Sequence, residues 1–455
     1  MTQPIDLPRR ITFWGASAVM VGVIIGSGIF RTPPDIAQHL GSPATILALW
    51  GLGGLLSLFG ALTYAELACM YPQSGGVYVF LREGLGRPVA FVFGWTYMLL
   101  TKPFAAAGIA VVFSEHLLRL IGIAPEGRTL LVNVITTAAL VLLTVINTVG
   151  VGPSTALAKV LTALKMGALA AIVAFAVVLS KGSASNFAPE PARDTLFAAF
   201  APVMLAILWT YDGWSDVGSI AGEVRDPQRQ LPRIYLAGTA AVTVLYLAVN
   251  AVYIWLVPLN EMRGVQTVAP LVMDRLVGPA GALVVTAMIM VSALGSSHSS
   301  VLTGARVTFA QARDGLLFRF LGRIHPRYQT PAVALWVQLT MSVAALWYTG
   351  SFKKLADGFT FTMWIFYGLA ACSIFILRIR RPDIPRPYRC WGYPVVPALF
   401  IAAATAMTIL SITSDINDPA SRGMQTLPWL AVLAAGLPVY LLWTRFTPKN
   451  TALNA

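Results

Sequence analysis

A long apolar segment near the N-terminus is interrupted by the glycine-rich stretch Gly22-Val-Ile-Ile-Gly-Ser-Gly-Ile-Phe30. A second apolar segment contains Trp209-Thr-Tyr-Asp-Gly-Trp-Ser-Asp216, which places two carboxylates among apolar residues. Glycine costs a helix about 1 kcal/mol, and an ionisable group at bilayer depth costs about 3 kcal/mol or more. Because the sequence carries both of these energetic costs, we expect the two interruptions to serve a function.

The composition surrounding these stretches is that of a membrane protein. Of 455 residues, 57% are hydrophobic and only 11% are charged, whereas soluble domains carry about 25% charged residues. Spanning a bilayer takes about 20 apolar residues per helix, and backbone groups in lipid must be bonded within the segment. We therefore expect an all-α polytopic protein with about twelve spans, near residues 13–38, 43–68, 89–114, 129–149, 156–180, 198–220, 234–257, 280–308, 331–349, 355–378, 394–414 and 427–445.

The net charge of +13 is spread over short basic clusters between the apolar segments. This pattern argues against nucleic-acid binding and is typical of a topology signal. With both termini inside, Lys and Arg residues favour the cytoplasmic side by about two to one. We expect a multi-pass protein of the cell (inner or plasma) membrane with both termini in the cytoplasm.

The interrupted segments occupy matching positions if five helices form a repeat. The expected organisation is a single transporter domain over 1–455, with repeats at 13–180 and 198–378 and two further helices within 394–445. Interrupted helices at equivalent places in inverted repeats are a sequence signature of a transport site. The sequence thus predicts one site, formed by the first and sixth spans.

The first interruption has the chemistry to bind a carboxylate. A broken helix exposes amides at a positive half-helix N-terminus, here those of Gly26, Ser27, Gly28 and Ile29. Glycine allows the backbone itself to approach a ligand. The alternative is close helix packing through the small-xxx-small pair Gly22–Gly26.

The second interruption has the chemistry to bind an ammonium group. Carbonyls released around Trp209, Thr210 and Tyr211 can accept hydrogen bonds, and the Trp209 ring can cover a ligand or simply pack in the core. Asp212 is either a counter-charge for a cation or a brace for the unwound segment, and Asp216 is expected to face a polar interior. The candidate substrate-binding residues are Ile25, Gly26, Ser27, Gly28, Ile29, Trp209, Thr210, Tyr211, Asp212 and Gly213.

Three further polar residues lie within apolar segments. Lys165 can pin the first broken helix to its neighbour in place of a bound cation, or titrate as a proton carrier; snorkelling to an interface is the third possibility. For Lys102, which is followed by Pro103, the sequence favours a structural role. His298 either lines the cavity or makes an interhelical hydrogen bond.

No enzyme motif is present in the sequence. It has no phosphate-binding loop, nucleophile elbow or zinc-ligand pattern, and its three cysteines and four histidines are scattered. We expect no catalytic residue, metal or cofactor. A membrane sensor or scaffold would need a soluble output domain, and no segment is long enough to form one.

Several stretches together resemble the amino acid–polyamine–organocation superfamily, and within it the L-type amino acid transporter-like branch. The resemblance extends over nearly the whole chain. Its motifs are Gly22–Phe30, Tyr64-Ala-Glu-Leu67 with Pro72, Gly75, Gly76 and Tyr78, Leu208–Trp214, Glu223 with Asp226-Pro227 and Pro232, Arg306, Ala312-Arg-Asp-Gly315, Arg386-Pro-Tyr388 and Trp391-Gly-Tyr-Pro394.

This resemblance implies a LeuT-type fold, a 5+5 inverted repeat plus two extra helices, that works by alternating access. It implies an α-amino acid held by its carboxylate at helix 1 and by its ammonium at helix 6. Lys165 matches the lysine that replaces a sodium ion in this branch, which implies sodium-independent exchange or proton-coupled import.

The resemblance also bears on partners and specificity. Mammalian-like members pair with a glycoprotein through a cysteine in the loop after helix 3; loop 121–128 has no cysteine, so no disulfide-linked heavy chain is expected. Thr210 stands where the family usually has alanine, and Asp216 stands at a usually uncharged position. A polyamine or organic-cation carrier that uses Asp212 as counter-charge remains the alternative.

Overall fold

The computed structural model describes residues 7–349, 352–417 and 426–446. In chain order the α-helices are α1 (Phe13–Ile24), α2 (Gly28–His39), α3 (Pro43–Met70), α4 (Val77–Leu85), α5 (Arg87–Thr96), α6 (Lys102–Leu120), α7 (Thr129–Val149), α8 (Val151–Leu179), α9 (Leu196–Tyr211), α10 (Pro227–Leu256), α11 (Leu259–Met262), α12 (Val268–Val277), α13 (Pro279–Arg313), α14 (Ala332–Thr349), α15 (Phe352–Arg380), α16 (Val395–Asn417) and α17 (Leu427–Phe446). A π-helical turn lies at Tyr97–Thr101, and 3-10 segments lie at Ala184–Phe187, Trp214–Glu223 and Arg319–Gly322.

Several helices begin where the sequence supplies a cap. The hydroxyl of Thr12 accepts a hydrogen bond from the Gly15 amide at 3.3 Å, and the Ser42 hydroxyl accepts one from Thr45 at the same distance. These side chains satisfy amides that have no acceptor within the first turn. The apolar segments therefore become helices with defined starting points.

The described residues contain eleven helical segments long and apolar enough to cross a membrane, and a shorter apolar helix at Ala332–Tyr348. Large apolar side chains on their outer surfaces are exposed, for example Phe197 at 89% and Val178 at 77%. Such exposure fits a lipid-facing surface, because lipid tails solvate these side chains. The prediction of an all-α polytopic membrane protein is confirmed.

The helix bounds differ from the prediction mainly at the ends. The third span runs over Arg87–Leu120 and the eighth over Pro279–Arg313, because polar residues continue each helix beyond its apolar core. Helices α4, α11 and α12 lie between the spans and were not predicted; they have 9, 4 and 10 residues. Their composition lacks the long apolar run on which the prediction was based.

Both interrupted segments are broken helices. Helix α1 ends at Ile24 and α2 begins at Gly28, while α9 ends at Tyr211 and the following 3-10 segment begins at Trp214. The second break turns at Gly213, whose φ of +113° lies in a region that favours glycine. A Cβ at Gly213 would lie 2.6 Å from Val23 Cγ1, so the two breaks pack directly against each other.

We expect Gly213→Ala to destabilise the protein more than Gly122→Ala. Both glycines have positive φ, +113° and +78°, so alanine strains the backbone at each position by about 1–2 kcal/mol. A Cβ at Gly122 has no atom within 4 Å, whereas one at Gly213 collides with α1. Thermal midpoints of the purified variants in detergent measure the difference, and equal midpoints would rule out tight packing between the breaks.

Candidate functional site

A small cavity lies between the two broken helices. Its volume is about 30 Å³, which is room for one or two water molecules. Its lining residues are Val23, Ile24, Gly26, Ser27, Gly28, Lys102, Ala105, Ile109, Trp209, Thr210, Asp212 and Ser300. The cavity must therefore widen before a molecule larger than water can occupy it.

Six of the ten predicted substrate-binding residues line this cavity, and the other four, all within the described part of the chain, lie beside it. Ile25 and Ile29 are fully buried in the core. The ring of Tyr211 packs against that of Tyr246 with centroids 5.1 Å apart. Gly213 faces α1, as described above. The two stretches named from the sequence thus meet at one cavity, with six of their residues in its lining and four beside it.

The break in the first span leaves backbone amides beside the cavity. Because α2 begins at Gly28, the amides of Ser27, Gly28 and Ile29 belong to its first turn, where a helix offers no acceptor. The amide of Gly26 differs from the expectation, since it donates to the Ile24 carbonyl at 2.8 Å. The positive end of α2 thus points its N–H groups toward the cavity.

The carbonyls of the same break are bonded to Lys165 of α8. Its ammonium donates to the carbonyl oxygens of Gly22 at 2.9 Å and Ile25 at 2.7 Å. It also donates to the Ser292 carbonyl at 3.1 Å and to the Ser296 hydroxyl at 3.0 Å, both on α13. One buried cation thereby joins α1, α8 and α13.

Two serines that were not predicted complete this arrangement. Ser296 Oγ lies 2.7 Å from the Gly22 oxygen and 2.9 Å from that of Ile25, and Ser292 Oγ lies 3.2 Å from the Ile25 oxygen. The signal available for Ser296 was the run of small polar residues at 295–300, in which only His298 was singled out; Ser292 lies outside this run. Small hydroxyls in a membrane helix are well suited to bonding a neighbouring backbone.

Asp212 is held at the second break by a tyrosine of α15. The Tyr367 hydroxyl donates to Asp212 Oδ1 at 2.7 Å and accepts from the Ser215 hydroxyl at 2.9 Å. The Asp212 amide donates to the Trp209 carbonyl at 3.2 Å. Asp212 therefore braces the unwound segment and also presents its side chain to the cavity.

The two broken helices are also linked on the α2 side of the cavity. The hydroxyls of Thr32 and Thr210 lie 2.8 Å apart, and Thr210 Oγ1 also donates to the Ala206 carbonyl at 2.9 Å. A Cβ at Gly28 would lie 2.6 Å from Thr210 Oγ1. Helices α2 and α9 are thus in contact through glycine on one side and a hydroxyl pair on the other.

Lys102 and Asp216 form an ion pair beside the cavity. The two side chains are each 3% exposed, and the Thr303 hydroxyl donates to the same Asp216 oxygen at 2.9 Å. Lys102 lines the cavity. The sequence favoured a structural role for Lys102 and a polar surrounding for Asp216, but did not pair them.

His298 lies away from the cavity lining. Its Nδ1 is 3.2 Å from the Asn147 amide nitrogen, and its Nε2 is 3.0 Å from the Ser154 carbonyl oxygen. These contacts join α7, α8 and α13. Of the two readings from the sequence, the interhelical hydrogen bond is the one that the geometry supports.

Ion pairs lie on both sides of the cavity. Arg31 of α2 pairs with Glu115 of α6. On the opposite side, Arg306 Nε donates to Glu223 Oε1 at 2.8 Å, and both side chains are fully buried. Ile11 bonds the backbone of Glu223 and Arg225, which adds the N-terminal segment to that contact. Charged side chains therefore join different elements on either side of the cavity.

A second cluster on the Arg306 side unites motifs that are distant in sequence. Arg378 Nη2 donates to Glu66 Oε2 at 2.6 Å, and the Cys390 amide donates to the same oxygen at 2.7 Å. Arg386 Nε lies 3.5 Å from Glu66 Oε1. The fully buried Glu66 carboxylate thus fastens α3 to α15 and to the loop before α16.

Comparison with known proteins identifies the family. A family model described as "Amino acid permease" matches residues 11–436. The human cystine/glutamate transporter is 30% identical over 449 residues, 98% of this chain and 87% of that protein. The serine/threonine exchanger SteT of Bacillus subtilis is 31% identical over 444 residues, which cover 96% of this chain and 98% of that protein. The mouse b(0,+)-type amino acid transporter 1 is 29% identical over 445 residues, which cover 97% of this chain and 89% of that protein.

The candidate membrane spans, the family model and the relatives together identify a membrane transporter rather than an enzyme. The chain belongs to the amino acid permease family of the amino acid–polyamine–organocation superfamily. The resemblance inferred from the sequence motifs is thereby confirmed. Its relatives carry amino acids, and one is named as an exchanger.

We expect Gly28→Ala to lower the thermal midpoint and Thr210→Ala to restore much of it. The alanine methyl would lie 2.6 Å from Thr210 Oγ1 and 2.9 Å from its Cγ2, so α2 and α9 must separate. Removing both Thr210 atoms in the double variant relieves the two closest contacts and leaves the backbone Cα of residue 210 at 3.0 Å. Gly26→Ala is the matched control, since its nearest neighbour is Ser296 Oγ at 3.5 Å. A double variant no more stable than Gly28→Ala would contradict the packing argument.

Proposed function

We propose that this protein transports α-amino acids without sodium, by exchange or by proton-coupled import. The substrate carboxylate binds the amides at the start of α2, and its ammonium binds the carbonyls where α9 unwinds. Rocking of the broken helices around this fixed site opens it alternately to the two sides of the membrane. The proposed substrate-binding stretches are 25–29 and 209–213.

The arrangement of the first break supports the carboxylate end of this proposal. The amides of Ser27, Gly28 and Ile29 are grouped at the positive end of α2, and Gly28 removes the side chain that would keep a ligand at a distance. A helix N-terminus combines unbonded N–H groups with a favourable dipole. A carboxylate is an anion of suitable size for this group of donors.

Asp212 and the unwound backbone support the ammonium end. Asp212 lines the cavity and is oriented by Tyr367. The carbonyls at the end of α9 belong to its last turn, where a helix offers no donor, and Thr210 lines the cavity. An ammonium group placed there meets oxygen acceptors and a carboxylate within one turn.

The observation that carries the sodium-independent proposal is the Lys165 ammonium among four oxygen atoms. Those oxygens belong to Gly22, Ile25, Ser292 and Ser296, at 2.7–3.1 Å. Carbonyl and hydroxyl oxygens around one point form a site for a hard cation. Because the ammonium fills it, no sodium ion is needed to join the break to α13.

The cellular setting is part of the same proposal. We place the protein in the cell membrane with the Arg306 and Glu66 clusters on the cytoplasmic side, and its two inverted repeats at 13–180 and 198–378. Function without a disulfide-linked heavy chain is supported by the cysteines. Loop 121–128 has none, and burial raises the pKa of the Cys390 thiol to about 11, which keeps it protonated and unreactive.

The competing function is transport of a polyamine or another organic cation. It is motivated by Asp212, a carboxylate that lines the cavity. Such a substrate has no carboxylate, so the amides at the start of α2 would have no ligand. Competition against the uptake of a labelled substrate separates the two functions. Unlabelled amino acids block this uptake under the main proposal, whereas only putrescine blocks it under the alternative.

We expect labelled amino acids to enter proteoliposomes in sodium-free buffer. Uptake restricted to vesicles preloaded with unlabelled amino acids identifies an exchanger. Uptake into empty vesicles that rises with an inward proton gradient identifies a proton-coupled importer. Protein-free liposomes are the control, and absence of uptake under every condition would refute amino acid transport.

We expect Lys165→Ala to make the thermal stability sodium-dependent. The variant loses a donor to three carbonyls and leaves the oxygen atoms of Gly22, Ile25, Ser292 and Ser296 around the vacated position. Sodium binding to the vacated oxygens should raise the thermal midpoint of the variant, because a ligand that binds the folded state stabilises it. The wild type and Lys159→Ala, an exposed lysine of the same helix, should not respond. A variant insensitive to sodium would contradict the cation-site proposal.

A further inference from the structure

The Lys102–Asp216 ion pair has no part in the proposed binding of the substrate backbone. Lys102 begins α6 directly after the π-helical turn, and Asp216 lies in the 3-10 segment that follows the second break. Both side chains are almost completely buried. Desolvating two charges has a cost that a structural contact between apolar residues would avoid. The pair therefore calls for a functional explanation.

The position of Lys102 suggests what the pair does. Lys102 lines the cavity together with Ala105 and Ile109 of the same helix. These three residues face the cavity from α6, whereas the amides of α2 and the carbonyls of α9 belong to the two breaks. A substrate held by its backbone groups at the breaks would direct its side chain toward the remaining wall.

The charged groups at that wall are the Lys102 ammonium and the carboxylates of Asp216 and Asp212. The ammonium of Lys102 is paired with Asp216, whose bonded oxygen also accepts from Thr303. Asp212 lines the same cavity and carries a second carboxylate. An acidic side chain entering here would have to displace Asp216 from Lys102 while lying near Asp212. Like charges at close range disfavour such binding.

We propose that Asp216 determines substrate charge selectivity by neutralising Lys102, so that the transporter rejects amino acids with acidic side chains. This inference rests on the proposed function, since it requires an amino acid bound at the two breaks. Asp216 acts through Lys102 and does not itself line the cavity, so it is a positioning residue. Its removal converts Lys102 into an unpaired cation that an acidic side chain can neutralise.

The test compares uptake of labelled glutamate with uptake of a labelled mixture of neutral amino acids. Proteoliposomes are preloaded with the unlabelled neutral mixture. We expect Asp216→Asn to raise the ratio of glutamate to neutral uptake about tenfold over wild type, the effect of one newly available charge pair. The double variant Lys102→Gln/Asp216→Asn should return the ratio to the wild-type value. Thr303→Val, which removes a hydrogen bond but no charge, should leave the ratio unchanged.

A second variant, with the opposite change of charge, decides the question if Asp216→Asn does not fold. Lys102→Gln leaves Asp216 without its cation, and should raise the ratio of labelled arginine to neutral uptake. If Asp216→Asn yields no folded protein, this ratio decides the question. An unchanged ratio in the folded variants overturns the inference, as does a wild type that already accepts glutamate as readily as neutral substrates.

The outcomes also separate this inference from the proposed function. A wild type that exchanges neutral amino acids while Asp216→Asn keeps the wild-type ratio overturns only the selectivity assignment. Loss of all uptake in a variant with an unchanged thermal midpoint assigns the pair to the transport cycle, and overturns selectivity as its role. A wild type without any amino acid uptake refutes both proposals.

Discussion

Every backbone group that a membrane helix gives up at a break must find another partner, because lipid offers none. The break at Ile25–Ser27 obeys this constraint through side chains of neighbouring helices, among them Lys165. Its ammonium bonds the carbonyls of Gly22 and Ile25 and links them to α13. Ser292 and Ser296 donate to the same break. At the other end of the break, Ser27 and Gly28 line the cavity.

The second break solves the same problem with side chains of different chemistry. Its turn depends on Gly213, whose backbone conformation and contact with Val23 leave no room for a Cβ. Tyr367 holds the Asp212 carboxylate, and Trp214 packs among aromatic rings that include Tyr64, 4.9 Å between centroids. The unwound segment is therefore rigid where it is supported by α3 and α15. Asp212 itself lines the cavity.

Ion pairs join different elements on both sides of the cavity. Arg306–Glu223 and Arg378–Glu66 do so on the side of the N-terminal segment, and Arg31–Glu115 does so on the other side. The Arg306–Glu223 pair is fully buried, as is the Glu66 carboxylate. A buried pair adds little stability relative to apolar packing, but removing one of its partners is costly.

The sequence by itself determined the membrane class, the positions of most spans, the two helix breaks and the family, because these depend on local composition and on motifs that are contiguous in the chain. Lys165 stood out for the same reason, as a cation in an apolar segment. Only the tertiary structure decided that Lys102 meets Asp216, 114 residues away, and that Ser292 and Ser296 join the Lys165 site. It also placed His298 among α7 and α8. Those pairings depend on how helices pack and rotate against one another, which no local property of the sequence specifies.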